Sequence, residues 1–340
     1  MKVLVIKRDK IGDLLLTTPL LAQLKAGLPQ VETHVLANDY NAWVVAGNPH
    51  VDRIWVYRRV RHAGRAILGA AWRWLWQSLE LRRERYDWVI VANGDESPRA
   101  IRRGLAVRGA RTVARCADAS KYPGLTDPLP PDAASHEIER LLALLQPLGI
   151  SVPETSKAPF PNYSLPFASA AFARGWLAAR GLAPGRYVVL GLGARRPKKQ
   201  PSTAQVLAWS AHLKDRWGLD TVFMWTPGKP DHPLYPGDDD AAQRVLDARA
   251  PQIHPFRGPI PEALGLMWSA RTSLFPDSGL MQFGAASPGG VLGLFAEPDV
   301  SPAPAQWAPR GPRADYLEAD KSVSELPEAL VYERLARLLG

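Results

Sequence analysis

The first residues of the chain constrain its fold more strongly than any other segment. Residues 1–6 read as a short buried strand, which runs into a tight turn holding Gly12 and Asp13 and then into an apolar helix. A strand, a turn and a helix in that order begin a βα unit, whose loop lies at the ligand-binding carboxyl edge of a parallel sheet. Asp13 is therefore a candidate catalytic residue. The competing interpretation is that Asp13 is only a helix N-cap or first-turn acid that complements the helix dipole.

The alternation of strands and helices continues along the chain and restarts after a Pro-rich segment. Residues 149–168 show no periodicity and read as a linker. Because such alternation builds parallel sheets, we predict two α/β domains, residues 1–165 and 166–340, with a cleft between them. The predicted strands are 3–6, 31–36, 54–57, 88–91, 187–192, 221–225, 272–275 and 291–295, and the predicted helices are 14–26, 65–85, 97–108, 136–148, 168–179, 203–217, 239–248, 260–270, one after Asp277, and 324–339.

Composition excludes several classes of protein. No apolar run approaches the roughly 18 residues that a membrane span requires, and charged residues after Ile6 interrupt the first apolar stretch, so we expect no signal peptide and a cytoplasmic protein. Cys116 is the only cysteine, and the seven His do not follow a metal-ligand spacing. We therefore expect neither a disulfide nor a metal, and no cofactor.

The net charge of +9 is concentrated in the first half of the chain. Residues 1–165 contain 23 Lys and Arg against 16 Asp and Glu, whereas residues 166–340 contain 19 against 17. An excess of this kind points to an anionic partner for the first half. Charge alone leaves nucleic acid, an acidic membrane surface and an acidic sugar open.

A second candidate site follows a predicted strand in the second half. Asp277-Ser278-Gly279 opens a helix of small residues, where unpaired backbone N–H groups meet the positive end of the helix dipole. Such a helix start suits a pyrophosphate, with Gly279 allowing close approach and the Ser278 hydroxyl adding a hydrogen bond. A capped βα turn that only packs on its sheet is the alternative.

A basic loop follows the first strand of the second half and begins with Gly191 and Gly193. We expect it at the same sheet edge as Asp277, where its cations would face a diphosphate; a solvated basic loop is the alternative. Arg196 stands at the third glycine position of G-x-G-x-x-G, so the dinucleotide fingerprint is not met. The four cations of the loop are Arg195, Arg196, Lys198 and Lys199.

Three ordered motifs resemble the heptosyltransferases of glycosyltransferase family nine. The likeness spans about residues 1–296 and includes an element that is similar to the family's K-R-W-P, with Gln200 in place of Trp. The motifs are the N-terminal segment through Pro19, then Gly47-Asn48-Pro49-His50-Val51-Asp52, then Asp277-Ser278-Gly279-Leu280-Met281-Gln282, with Pro197-Lys198-Lys199-Gln200-Pro201 as the additional element.

The resemblance implies a GT-B fold, in which two facing Rossmann-like domains bind an acceptor and ADP-heptose, respectively. It implies inversion at the anomeric carbon without a metal. Asp13 would be the general base that deprotonates the acceptor hydroxyl, and Lys198 the phosphate-binding lysine. The other nucleotide-sugar-binding residues that it implies are Asp277, Ser278, Gly279, Leu280 and Gln282.

The sequence departs from the family at two positions of the last motif. Ser278 stands where the family usually has Thr and preserves the hydroxyl, whereas Gln282 replaces a His and removes a titratable or cationic contact. The family's ribose-binding acid has no clean counterpart, because an apparent insertion separates Trp225 from Asp238-Asp239-Asp240.

An Arg-rich and Trp-rich segment supplies candidates for acceptor binding. Residues 53–85 contain nine Arg against Glu80 and Glu84, interleaved with four Trp. Acceptors in the family carry acidic sugars and phosphates on a lipid, so this segment could hold carboxylates while its aromatic helix lies at an anionic membrane surface. Trp and Leu at helical spacing are also typical of a plain core. The candidate acceptor-binding residues are Arg8, Arg58, Arg59 and Arg61.

These features favour a transferase in lipopolysaccharide core synthesis, working in the cytoplasm or on the inner face of the inner membrane. Within the family, another nucleotide sugar or acceptor, or a homologue that binds without catalysis, remains open. A nucleic-acid-binding protein would explain the pI near 9.7 but not the phosphate loops, and no RRM, KH or helix-turn-helix signature is present. We expect no nucleic-acid partner.

Overall fold

The computed structural model describes residues 1–59, 66–154, 157–193, 196–229, 231, 237–301 and 303–340, with backbone alone for residues 66–68, 70 and 71. The chain divides into two compact units, Met1–Ser164 and Leu165–Gly340. Arg61 and Arg195 lie outside the described residues. No helix in the described ranges is long and apolar enough to cross a membrane.

The first unit is built on a parallel sheet of six strands in the order β3-β2-β1-β4-β5-β6. This 3-2-1-4-5-6 order is that of a Rossmann fold, in which the switch point lies between β1 and β4. The loops that follow these two strands therefore share one edge of the sheet. The elements are β1 (Lys2–Ile6), α1 (Ile11–Leu15), α2 (Thr18–Gly27), β2 (Glu32–Asn38), β3 (Arg53–Tyr57), α3 (Ala66–Arg83), β4 (Trp88–Val91), α4 (Pro98–Val107), β5 (Arg111–Arg115), β6 (Asp127–Leu129) and α5 (Glu137–Leu142).

The second unit repeats this topology, with the order β12-β11-β10-β7-β8-β9. Its switch point lies between β7 and β10, so the loops that begin at Leu192 and Asp277 meet the same sheet edge. The elements are α6 (Phe167–Ala178), β7 (Tyr187–Gly191), α7 (Thr203–Trp217), β8 (Asp220–Met224), α8 (Asp239–Leu246), β9 (Ile253–Phe256), α9 (Ile260–Ser269), β10 (Thr272–Pro276), α10 (Gly279–Ala286), β11 (Val291–Ala296), α11 (Pro304–Trp307), β12 (Ala314–Ala319) and α12 (Glu328–Leu339).

Two of the predicted helices were wrong in extent, in each case at a proline. The single helix expected over residues 14–26 is two helices, because Pro19 stands in the first turn of α2 and has no N–H for an unbroken helical ladder. The C-terminal helix begins at Glu328 rather than near residue 324, since Pro327 is its N-cap and Val323–Glu325 forms a separate 3-10 turn. Proline is favoured at helix starts for the same reason.

Four strands were not predicted, and three of them are sheet edges. The edge strands β6 and β9 contain Pro128 and Pro255, and β12 contains the charged Asp315 and Glu318. These residues make the segments less typical of strands. The fourth strand, β5, begins and ends with Arg. Its Arg115 is buried, and the guanidinium donates hydrogen bonds to the carbonyls of Pro130 and Arg140. Tertiary contacts therefore create a strand that the local pattern does not indicate.

Candidate active site

Three asparagines hold the loop that follows β1. The Asn38 side chain donates to the carbonyl of Arg8 at 2.6 Å, and that of Asn41 donates to the carbonyl of Asp9 at 3.1 Å. From the loop after β4, the Asn93 amide donates to Asp9 Oδ2 at 2.6 Å. Side chains from two neighbouring strands therefore fix this loop at the carboxyl edge of the sheet.

Asp13 is half-buried in the first turn of α1. Its Oδ2 accepts a hydrogen bond from the Lys10 backbone N–H at 3.1 Å, the capping contact expected of a first-turn acid. Burial raises the pKa of the Asp13 carboxyl above its ordinary 3.8, against the opposing effect of Lys7. Asp13 therefore combines a structural contact with an increased affinity for a proton.

Lys7, which the sequence analysis did not single out, is the cation next to this carboxyl. Its side chain is 1% exposed, and its Nζ lies 3.3 Å from Glu137 Oε1 and 3.4 Å from Asp9 Oδ2. Burial opposes the charge on Lys7, yet Glu137, Asp13 and Asp9 together raise its pKa above the ordinary value. The candidate base therefore faces a lysine that remains charged inside the protein.

A buried ionic cluster holds Lys7 in place from α5. Glu137 accepts hydrogen bonds from Lys7, from the Gly94 backbone N–H at 3.3 Å and from Arg140 Nη1 at 3.4 Å. Arg140 is fully buried, donates to the Gly94 carbonyl at 2.6 Å and pairs with Asp95. A Cβ at Gly94 would lie 2.0 Å from Glu137 Oε2, so only glycine fits between these groups. The one sequence signal was the pair of opposite charges at i and i+3, Glu137 and Arg140, next to the apolar Ile138, Leu141 and Leu142.

The candidate acceptor-binding arginines have different surroundings. Arg8 Nε donates to the Tyr57 hydroxyl at 3.1 Å. Arg59 Nε lies 3.6 Å from Asp39 Oδ1, and its guanidinium lies 4.4 Å from the centre of the Tyr40 ring. Arg58 is exposed. Arg8 therefore lies in the loop next to Asp13, whereas Arg59 is already engaged by an acid and a ring.

Arg103 of α4 is a further arginine beside Tyr57. Its guanidinium lies 4.0 Å from the centre of the Tyr57 ring and 3.9 Å from that of Trp74. Burial, with a smaller effect of Arg8, lowers the pKa of Arg103 to about 10. Sequence reasoning missed this contact because the three partners come from separate elements.

In the second unit, the two neighbouring lysines of the basic loop have different partners. Lys199 is buried, and its Nζ lies 2.5 Å from Asp277 Oδ2. Lys198 is 42% exposed and pairs with Glu297, which follows β11. The structure therefore brings Lys199 to the Asp277 loop and ties Lys198 to the loop after the neighbouring strand.

The helix that follows Asp277 is capped by Ser278, whose hydroxyl accepts from the Met281 N–H at 3.4 Å. The eight-residue helix α10 begins at Gly279, and Leu280 is half-buried in its first turn. Its first backbone N–H groups precede the helical ladder, which is the arrangement that binds phosphate at a helix N-terminus.

Gln282 lies in the second turn of α10 and is 4% exposed. Its amide donates to the Trp307 carbonyl at 2.8 Å, which links α10 to α11. Its Oε1 is buried and has no hydrogen-bond partner within the described residues. The Gln282 side chain therefore bonds to the protein's own backbone.

The acids after the apparent insertion lie against the basic loop and β8. Asp238 Oδ1 accepts a hydrogen bond from the Gln200 amide at 2.6 Å, and burial raises the pKa of Asp238. Asp239 pairs with Arg257 and accepts from the Trp225 indole at 2.7 Å; Arg257 is the main cause that lowers the pKa of Asp239 to about 2. A cavity of about 200 Å³ lies beside this contact and is lined by Leu192, Pro197, Gln200, Thr203, Arg244 and Val245, among others.

In the described ranges, one group of side chains has its potential metal-ligand atoms within 4.8 Å of one another. It consists of Glu32, His34 and Glu84. Lys2 Nζ lies 3.3 Å from Glu32 and 2.7 Å from Glu84, and Arg53 also pairs with Glu84. These cations already neutralise the carboxylates, so the group is a poor cation site. It lies at the amino ends of β1 and β2, opposite the loop that carries Asp13.

The repeated 3-2-1-4-5-6 sheets define a protein of two Rossmann-like domains of the GT-B type, which confirms the predicted fold class. No family model matches this sequence, and no curated protein matches it. Solved structures match almost the whole chain in fold, among them three at 17–20% sequence identity.

The glycosyl transferase family 9 structure from Veillonella parvula has a TM-score of 0.83 and 17% identity, covering 99% of this chain and 97% of its own. ADP-heptose LPS heptosyltransferase II from E. coli has a TM-score of 0.76 and 20% identity, covering 100% and 98%. The E. coli heptosyltransferase WaaC with ADP has a TM-score of 0.72 and 17% identity, covering 99% and 100%. This chain therefore shares the fold of these proteins along its length.

Proposed function

We propose that this protein is an inverting glycosyltransferase of family nine, which moves a heptose from ADP-heptose to an acceptor of the lipopolysaccharide core. The observation that carries the proposal is Asp13, a half-buried carboxyl of raised pKa in the first turn of α1, directly after the loop that follows β1. The fold shared with the E. coli heptosyltransferases and the sequence motifs support the choice of donor.

In the proposed reaction, Asp13 removes the proton of the acceptor hydroxyl as that oxygen attacks the anomeric carbon. The bond from the anomeric carbon to the diphosphate oxygen breaks, and its electron pair leaves with ADP. Attack from the face opposite the leaving group inverts the configuration, so no covalent enzyme intermediate forms. The raised pKa of Asp13 favours this role, because a general base is more effective as its pKa approaches the working pH.

The nucleotide sugar would bind to the second unit, where Asp277, Ser278, Gly279, Leu280 and Gln282 are the proposed contacts. The N-terminus of α10 supplies backbone donors for the diphosphate. Lys198 would add a positive charge that stabilises the departing ADP. Because Lys198 pairs with Glu297 in the structure, the diphosphate would compete with this carboxylate for the lysine.

We propose an acceptor that is an acidic saccharide on a lipid, bound to the first unit by its excess of Lys and Arg. Arg8, Arg58, Arg59 and Arg61 are the proposed contacts. A cytoplasmic protein that reaches such an acceptor would work at the inner face of the inner membrane. Arg59 would have to exchange Asp39 for the acceptor's carboxylate.

Gln282 supports a second candidate within the family, a homologue with another nucleotide sugar or one that binds without turnover. Glutamine has no titratable group where the family usually has His, and its amide is already bonded to the Trp307 carbonyl. Titration of the purified protein with ADP, UDP and GDP sugars, followed by turnover of ADP-heptose, separates these possibilities. Binding of the ADP sugar without turnover would identify a non-catalytic homologue.

The activity is expected to depend on pH through Asp13. A raised pKa means that this carboxyl takes up its proton at a higher pH than the ordinary 3.8, and a protonated carboxyl cannot accept another proton. The value of kcat/KM should therefore fall as the pH decreases through the raised pKa. A plot of kcat/KM against pH should show this limb, and its absence would count against Asp13 as the base.

Replacement of Lys198 by Ala is expected to weaken ADP binding about tenfold, the scale of one charged hydrogen bond, without changing the melting temperature.

Replacement of Lys199 by Ala is expected to lower the melting temperature, because it leaves the Asp277 carboxylate without its partner at 2.5 Å. Calorimetric titration with ADP and thermal melts measure the ADP affinity and the melting temperature, with Lys214→Ala, at an exposed position of α7, as the control. Unchanged ADP affinity in Lys198→Ala would exclude its proposed role.

A further inference from the structure

An exposed apolar cluster lies on the surface of the first unit. Of the nine exposed large apolar side chains in the described part of the chain, four belong to α3 and to the neighbouring strand β3. Trp72 is 61% exposed, Trp76 50%, and Leu75 and Val56 each 48%. We call these four residues the α3 face.

The two tryptophans of the α3 face are in contact, and a hydrogen bond joins the helix to β3. The rings of Trp72 and Trp76 contact each other edge to face, with centroids 5.7 Å apart, as expected for residues one turn apart. Gln77 donates to the Val56 carbonyl at 3.0 Å, which joins the helix to β3 at the edge of the sheet. Single exposed apolar residues need no explanation, whereas neighbouring exposed apolar residues such as Trp72, Leu75 and Trp76 are a feature found at interaction sites.

The opposite side of α3 is firmly packed, so the exposure does not come from a loosely held helix. Leu81 is fully buried, Ser78 is 3% exposed, and Trp74 packs on the core of the unit. The Arg103 guanidinium covers the Trp74 ring at 3.9 Å. The helix therefore holds Trp72 and Trp76 toward solvent as a fixed feature.

The surroundings of the α3 face carry positive charge. Residues 53–59 and 72–85 contain seven Arg against two Glu. On α3 itself, Arg73 and Arg83 are exposed. Tryptophan is enriched at the boundary between lipid and water, and Arg at the edge of such a face interacts with anionic headgroups.

We propose that the α3 face docks on an anionic lipid bilayer, with Trp72 and Trp76 at the headgroup level and the arginines on the lipid phosphates. Charge selects this occupant over a second copy of the chain, because two such faces would bring arginines against arginines. The interaction is independent of the proposed reaction, and its test requires neither donor nor acceptor.

The test is flotation of the purified full chain with vesicles of phosphatidylcholine, with and without phosphatidylglycerol. The chain should float with the anionic vesicles and remain below with the neutral ones. The double variant Trp72→Ser, Trp76→Ser should bind the anionic vesicles at least about tenfold more weakly, because both interfacial side chains are removed. Phe167→Ser, at an 80% exposed position of the second unit, should bind like the unaltered chain.

Three results would overturn the proposal. They are no flotation of the unaltered chain, equal flotation of the double variant, or a dimer in sedimentation that the double variant abolishes. The variants should melt like the unaltered chain, since both positions are exposed. If the double variant fails to fold, brominated phosphatidylglycerol vesicles test the unaltered chain: unchanged tryptophan fluorescence would exclude insertion.

Discussion

Replacement of Asp13 by Asn is expected to lower the turnover of ADP-heptose by about 10²- to 10⁴-fold, the contribution typical of a general base. The amide cannot take a proton from the acceptor hydroxyl. It can still accept the Lys10 N–H, so the capping contact of α1 is retained. Steady-state kinetics measures the fall in kcat, and calorimetry with ADP should give an affinity within about twofold of the unaltered protein.

The matched control for this variant is Asp215→Asn, which makes the same chemical change at an exposed position of α7. It should leave both turnover and ADP affinity unchanged. Undiminished turnover by Asp13→Asn would exclude Asp13 as the base. Loss of ADP binding together with turnover would instead show that Asp13 acts on the fold or on the donor.

Replacement of Glu137 by Ala is expected to lower the free energy of unfolding of the first unit by about 3–5 kcal/mol, as for other broken buried ion pairs. The variant leaves Lys7, which is 1% exposed, and the fully buried Arg140 without the carboxylate that they share. Urea unfolding followed by circular dichroism measures the loss.

Glu154→Ala is the control for Glu137→Ala, because Glu154 forms an exposed ion pair with Lys157 in the same unit. Pairs of this kind contribute about 0–1 kcal/mol, so the control should unfold close to the unaltered protein. An equal urea midpoint for Glu137→Ala and the control would show that other groups compensate the two buried cations.

Local sequence patterns were sufficient to locate the two candidate loops along the chain. The strand-to-helix connection before Asp13 and the small-residue helix after Asp277 each use contacts within a few residues of the chain, so periodicity and turn residues indicate them. The predicted turn with Gly12 and Asp13 is wrong in detail, because both residues lie in α1, which begins at Ile11. The structure has both loops at the carboxyl ends of parallel strands, β1 and β10. The chemical roles assigned to them remain predictions.

The Trp-rich helix shows the limit of a local pattern. Helical spacing left open whether its tryptophans belong to a core or to a surface, and the structure divides them. Trp74 packs on the core beside Arg103, whereas Trp72 and Trp76 are exposed. Whether a tryptophan of α3 is buried depends on where α4 and β3 lie, and the spacing of residues within α3 does not give that information.

The amino-acid sequence by itself determined the class of fold and the positions of the two candidate loops along the chain, because strand and helix periodicities and glycine turns are properties of adjacent residues. Only the tertiary structure decided which charged groups meet. Lys7 and Glu137 are 130 residues apart in sequence yet 3.3 Å apart in space, and Lys199 rather than Lys198 reaches Asp277. Such pairings follow from the order of strands in the sheet and from burial, which makes an unpaired charge too costly to leave alone.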